Sequence, residues 1–138
     1  MRIAVDFDGT IVEHRYPEIG KEIPFAVATL KQLIREGHLL ILWSVREGEL
    51  LDEAVEWCRT KGIEFYAVNS DYPDEDETLS KKISRKLKVD LFIDDRNVGG
   101  LPDWGVIYEM INSNKTYEQV LREMINAPKP EKKPWWKF

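Results

Sequence analysis

Two pairs of carboxylates, each at the end of an apolar run, are the residues of this chain best placed to do chemistry. Asp6 and Asp8, within Asp6-Phe7-Asp8-Gly9-Thr10, follow Ile3-Ala4-Val5, and Asp94-Asp95 follow Leu91-Phe92-Ile93. A short continuous apolar run is the pattern of a strand buried on both faces. The carboxyl end of such a strand is where open α/β sheets bind their ligands. Carboxylates gathered at one sheet edge repel one another unless a cation lies among them, and an all-oxygen donor set suits Mg²⁺. Asp6, Asp8, Asp94 and Asp95 are therefore the candidate metal ligands. Beside such an ion, Asp6 could attack phosphorus. A carboxylate nucleophile divides one hard displacement into two easier ones through an aspartyl-phosphate. Asp8, two residues on, falls on the same side as Asp6 by strand alternation. It could protonate a leaving alcohol and then deprotonate the hydrolytic water. Gly9 allows the tight turn that follows.

The scaffold that must hold these groups is legible as alternating apolar runs and helical stripes. Strands are predicted over residues 2–5, 39–43, 64–68 and 89–93, with a short fifth over 105–108. A helix over 25–35 carries Val27, Leu30 and Ile34 on one face and is stopped by Gly37. A second over 47–60 places Leu51, Ala54, Val55 and Cys58 in one stripe. A short helix over 79–87 and a last one over 116–125, opened by a Thr116/Gln119 capping box, complete the set. Repeated βα alternation predicts an α/β fold, a Rossmann-like three-layer sandwich with a mainly parallel five-stranded sheet and right-handed crossovers. If the first and fourth strands are neighbours, the two acidic clusters meet at a topological switch point.

Composition narrows the partners. A chain of 138 residues is expected to form one domain. Its net charge of −5 argues against a nucleic-acid or anionic-membrane partner, since both want a basic face. No stretch approaches the roughly 18–20 apolar residues of a spanning helix, and no signal-peptide core is evident. The single cysteine, Cys58, excludes an internal disulfide. Together these features predict a cytoplasmic protein. The segment 128–138 differs from the rest, with three prolines, four lysines and the aromatics Trp135, Trp136 and Phe138. The expected division is a domain over 1–127 and a tail over 128–138, whose default reading is a disordered end.

The first motif, Asp6-Phe7-Asp8-Gly9-Thr10 after an apolar strand, resembles the first motif of the haloacid-dehalogenase-like (HAD) phosphohydrolase superfamily. Ser44, after the second strand, sits where that superfamily has its second-motif Ser or Thr. A lysine ahead of the fourth strand corresponds to the third motif, and Asp94-Asp95 to the acidic fourth. Order and spacing match over residues 1–108. The resemblance implies a Mg²⁺-dependent phosphatase with Asp6 as nucleophile and Asp8 as acid and base. The Asp8 backbone carbonyl and Asp94 would bind the ion directly, and Asp95 through water or by orienting a neighbour. Ser44 and the lysine would bind the phosphoryl group. Lys81 and Lys82 lie near the start of the short helix, and Lys86 lies eight residues before Asp94. Lys82 is favoured over Lys86.

The remaining candidates have ordinary alternatives. Ser44-Val45-Arg46-Glu47 also reads as a capping box for the second helix. His14 and Arg15 lie in the loop after the first motif, where they could touch substrate or be solvated. Arg96 could pair with Asp95 or face substrate, and Gly99-Gly100 gives a flexible loop beside the site. His38 reads as structural, Cys58 as core, and the acidic stretch 71–77 as a solvated loop.

The gaps between motifs are short. About 33 residues separate Thr10 from Ser44 and about 36 separate Ser44 from Lys81. This leaves no room for the inserted cap of the larger relatives, so the chain resembles a capless member. An open site favours a small phosphorylated substrate, a sugar phosphate or a nucleotide, with a homo-oligomer as one way to cover it. The alternatives are a polynucleotide-end or phosphoprotein phosphatase and, in another class, a non-catalytic phosphate-binding module.

Overall fold

The computed structural model describes residues 1–73 and 87–127. Four parallel strands form the sheet: β1 (Arg2–Val5), β2 (Leu39–Leu42), β3 (Ala67–Val68) and β4 (Leu91–Ile93), in the order β3-β2-β1-β4. Among the described residues four helices accompany them: α1 (Ala26–Arg35), α2 (Gly48–Thr60), α3 (Trp104–Ser113) and α4 (Tyr117–Asn126). The chain steps outward from β1 through β2 to β3, then returns to place β4 on the other side of β1. Val5 is in register with both Leu42 and Ile93. The residues that follow these three strands therefore emerge together at one edge.

Alternation along the strands sorts the core. Ile3, Val5, Leu40, Leu42 and Ile93 face one side, where they pack with Leu30 and Leu33 of α1, Ala54 and Cys58 of α2, and Trp104, Ile107 and Ile111 of α3. Ala4, Ile41 and Ala67 face the other side with Leu87. Gly37, at φ 89°, takes the chain out of α1 in a left-handed conformation that suits glycine. Thr116 and Gln119 make the expected reciprocal capping box at the start of α4.

The sheet has four strands among the described residues, not the five expected. Residues 105–108 belong to α3 instead. A four-residue apolar run does not distinguish strand from helix. Here Trp104, Ile107 and Ile111, spaced three and four apart, are the buried positions. The helix expected over 79–87 lies outside the described residues except for Leu87. The 128–138 tail lies wholly outside them. No described helix is long and apolar enough to cross a membrane.

Candidate active site

The first motif leaves β1 through one last sheet bond, from Asp6 N–H to Ile93 O at 2.9 Å. The chain then curls over the Phe7 carbonyl, which accepts from the N–H groups of Thr10, Ile11 and Val12 at 3.2, 2.9 and 3.3 Å. Phe7 itself is buried, edge-on to Trp57 at 5.8 Å between ring centroids. Gly9 is required twice over. Its φ is 85°, and a Cβ there would lie 2.2 Å from Asp95 Oδ2. Gly9→Ala is expected to cost about 2 kcal/mol or more, from left-handed strain and the displaced carboxylate. A denaturant titration would show it as a lowered midpoint with unchanged slope.

Thr10 ties the two acidic clusters together. Its buried hydroxyl accepts from Asp95 N–H at 3.1 Å and lies 3.2 Å from Asp6 Oδ2 and 3.4 Å from Asp95 Oδ1, either of which can accept its proton. Its carbonyl accepts from Trp104 Nε1 at 3.1 Å, which anchors α3 to the motif. Sequence reasoning gave Thr10 no role of its own.

Asp6, Asp94 and Asp95 each bring one carboxylate oxygen to within 4.8 Å of the others. Burial of Asp6, its hydrogen bond with Asp95 and the charge of Asp94 push the Asp6 carboxyl up from its ordinary 3.8 to about 7. Three crowded carboxylates, one of them held well above its normal range, are a donor set suited to a hard divalent cation. Mg²⁺ fits this set on donor chemistry. The folded protein keeps the Asp6 proton up to about pH 7, whereas the unfolded chain releases it near 3.8, so stability falls as pH rises through that window. Mg²⁺ is expected to raise the melting temperature strongly at about pH 8 and only slightly at about pH 5. An equal shift at both would contradict the coupling.

Asp8 takes a different partner. Both of its carboxylate oxygens accept from Arg46, from Nε at 2.7 Å and Nη2 at 2.8 Å. Arg46 is fully buried and Asp8 nearly so. The Asp8 carboxylate therefore stands apart from the acidic triad. Nothing local in the sequence marks Arg46, because its partner lies 38 positions away and a loop arginine reads as solvated.

Ser44 is not the helix cap that its pattern suggested. α2 begins at Gly48, with Glu47 at the N-cap making no side-chain cap bond. Ser44 Oγ instead accepts from Arg46 N–H at 3.1 Å, and Ser44 N–H donates to Asn69 Oδ1 at 2.8 Å. Residues 44–47 lie outside helix and strand, with a bend at Val45. Ser44 faces a cavity of about 490 Å³ together with Asp6, Asp8, Trp43 and Asp94.

Among the described residues, His14, Tyr16, Val45 and Arg96 also line the cavity. Arg15 is not part of that wall and lies 3.9 Å from Glu13 in an exposed pair. Asp94 Oδ1 accepts from Arg96 N–H at 3.0 Å, while the Arg96 side chain is left to the cavity. Gly99 and Gly100 line a separate apolar cleft beside Asp94. Lys81, Lys82 and Lys86 lie outside the described residues, as do positions 74–77 of the acidic stretch. Asp71, read as part of a solvated loop, is instead buried, with Oδ1 accepting from Lys88 N–H at 2.6 Å. Cys58 is core as expected, its thiol pushed up to about 12 by burial.

No family model and no curated protein matches the chain. A solved structure of a conserved protein from Bacteroides thetaiotaomicron does match, at 72% sequence identity and a TM-score of 0.80. The match covers 87% of this chain and 96% of that one. At that identity and coverage, this chain belongs to the same family as the conserved Bacteroides thetaiotaomicron protein.

Proposed function

We propose that this protein is a HAD-type, divalent-metal-dependent phosphohydrolase that cleaves a small phosphomonoester through an aspartyl-phosphate on Asp6. The observation that carries the reading is the meeting of Asp6 with Asp94 and Asp95 within 4.8 Å, with Asp6 and Asp94 on a cavity shared with Asp8 and Ser44. In the first step an Asp6 oxygen bonds to phosphorus and the bond to the leaving oxygen breaks. Asp8 enters this step as the carboxylic acid, gives its proton to the leaving alcohol and is left as the carboxylate that Arg46 holds. Its two oxygens accept from Arg46, but each keeps a second lone pair for that exchange. In the second step water attacks phosphorus, Asp8 takes its proton, and Asp6 is released with inorganic phosphate.

The Ser44 hydroxyl is placed to hydrogen-bond a phosphoryl oxygen, and Lys82 or Lys86 would supply positive charge to it. Mg²⁺ held by Asp6, Asp94 and the Asp8 carbonyl, with Asp95 behind, would neutralise charge on the phosphoryl group. His14, Tyr16 and Arg96 line the same cavity and would face the part of the substrate that does not react. A cavity of about 490 Å³ accommodates a sugar phosphate or nucleotide, and the net charge of −5 disfavours a polynucleotide.

The test is p-nitrophenyl phosphate hydrolysis with Mg²⁺ and with a chelator, followed by a panel of phosphorylated metabolites. Mg²⁺-dependent release of nitrophenol is expected. Its absence with every divalent ion tried would remove the reading in favour of a binding module.

A further inference from the structure

A guanidinium taken wholly out of water is retained only where its donors are satisfied. Arg46 meets that condition with five hydrogen bonds. Nε donates to Asp8 Oδ2 at 2.7 Å and Nη2 to Asp8 Oδ1 at 2.8 Å. Nη2 also donates to Glu18 O at 2.9 Å, and Nη1 to Pro17 O at 3.1 Å and Leu50 O at 3.4 Å. The faces of the same group are covered by the rings of Phe7 and Tyr16, each 5.2 Å from its central carbon. One side chain thus joins the first motif, the 16–18 segment, whose Tyr16 lines the cavity, and the first turn of α2. A lysine could not replace it, because a point charge with three donors has no fork to match a carboxylate and three carbonyls at once.

We propose that Arg46 is the positioning residue of this site. It fixes the direction of the Asp8 carboxylate and latches the Tyr16–Glu18 segment that carries Tyr16 on the cavity wall, so that the cavity is formed before substrate arrives. The rate part of this inference rests on the phosphohydrolase reading, and the latch part does not.

The experiment compares wild type, R46K, D8N and the D8N/R46K double variant. Turnover of p-nitrophenyl phosphate with Mg²⁺ is read beside amide hydrogen exchange of Glu13 and Ile23, which bracket the 14–22 segment. R46K keeps the charge and loses the fork. Its kcat is expected to fall roughly 100-fold with KM within about threefold, as for a misplaced reacting group. In the D8N background the same substitution should cost almost nothing further. Exchange at Glu13 and Ile23, whose N–H groups bond Lys21 O and Ile11 O and close the 14–22 segment, should rise about tenfold in R46K, while α1 stays protected.

Wild-type kcat in R46K, or an equal loss in both backgrounds, would overturn the positioning role. If wild type hydrolyses no phosphate ester, it is the phosphohydrolase reading that fails. Hydrogen exchange then judges the latch alone, and unchanged protection in R46K would sink it. If R46K does not fold, the guanidinium is read in wild type by NMR: Nη hydrogens held on Pro17 O and Glu18 O should exchange slowly and give resolved signals, and one averaged, rapidly exchanging signal would be decisive against the latch.

Discussion

Asp6→Asn is expected to abolish turnover while leaving the fold intact, and even to stabilise it. An amide cannot attack phosphorus, so the covalent path closes. The expected loss in kcat is roughly 10³-fold or more, as for other removed nucleophiles. Stability should move the other way. Asp6 is ionised at about pH 8 only against burial and the nearby Asp95 and Asp94, which hold its carboxyl near 7. Asparagine has nearly the same shape and carries no charge, so the metal-free variant should melt above metal-free wild type at that pH. Beryllium fluoride with Mg²⁺ should give a bound fluorine signal in wild type and none in the variant. Full activity in purified Asp6→Asn would refute the nucleophile assignment.

Asp94→Ala should be the most damaging change to metal binding outside the nucleophile. Asp94 borders the cavity, and only its Oδ1 is engaged, by the N–H of Arg96, among the contacts described. Asp95 is turned inward, against Thr10 and over the position where Gly9 has no Cβ. The Mg²⁺ dissociation constant at about pH 8 should rise on the order of 100-fold in Asp94→Ala and on the order of 10-fold in Asp95→Ala. Asp95→Ala should also lower the Asp6 titration, since Asp95 both hydrogen-bonds Asp6 and adds like charge. Calorimetric titration measures the first, and carboxyl-resolved NMR the second. A larger effect from Asp95→Ala, or an ion held by residues 71–77, would show the centre to be misplaced.

The parts of the site written in local pattern were legible in the sequence. Asp6 and Asp94 stand at the ends of apolar runs, so their position followed once β1 and β4 were neighbours. Cys58 followed from its place in a helical stripe. What depended on distant partners was not legible. Residues 105–108 were ambiguous because four apolar residues suit either period, and the buried indole of Trp104, bonded to Thr10 O, goes with helix. Ser44-Val45-Arg46-Glu47 satisfied a capping pattern, yet the demand of Asp8 for a buried cation took precedence over it. Asp71 looked solvated among acidic neighbours, but it serves the backbone of Lys88.

Trp43 sits half-buried on the cavity wall, directly after the end of β2. The site thus contains its own chromophore. Any phosphorylated ligand that enters should change the emission of this indole, and Trp43→Phe identifies that component among the other tryptophans. Ligand affinity can then be read without turnover, label or coupled assay. Compounds that bind and are never hydrolysed become visible in the same titration as true substrates.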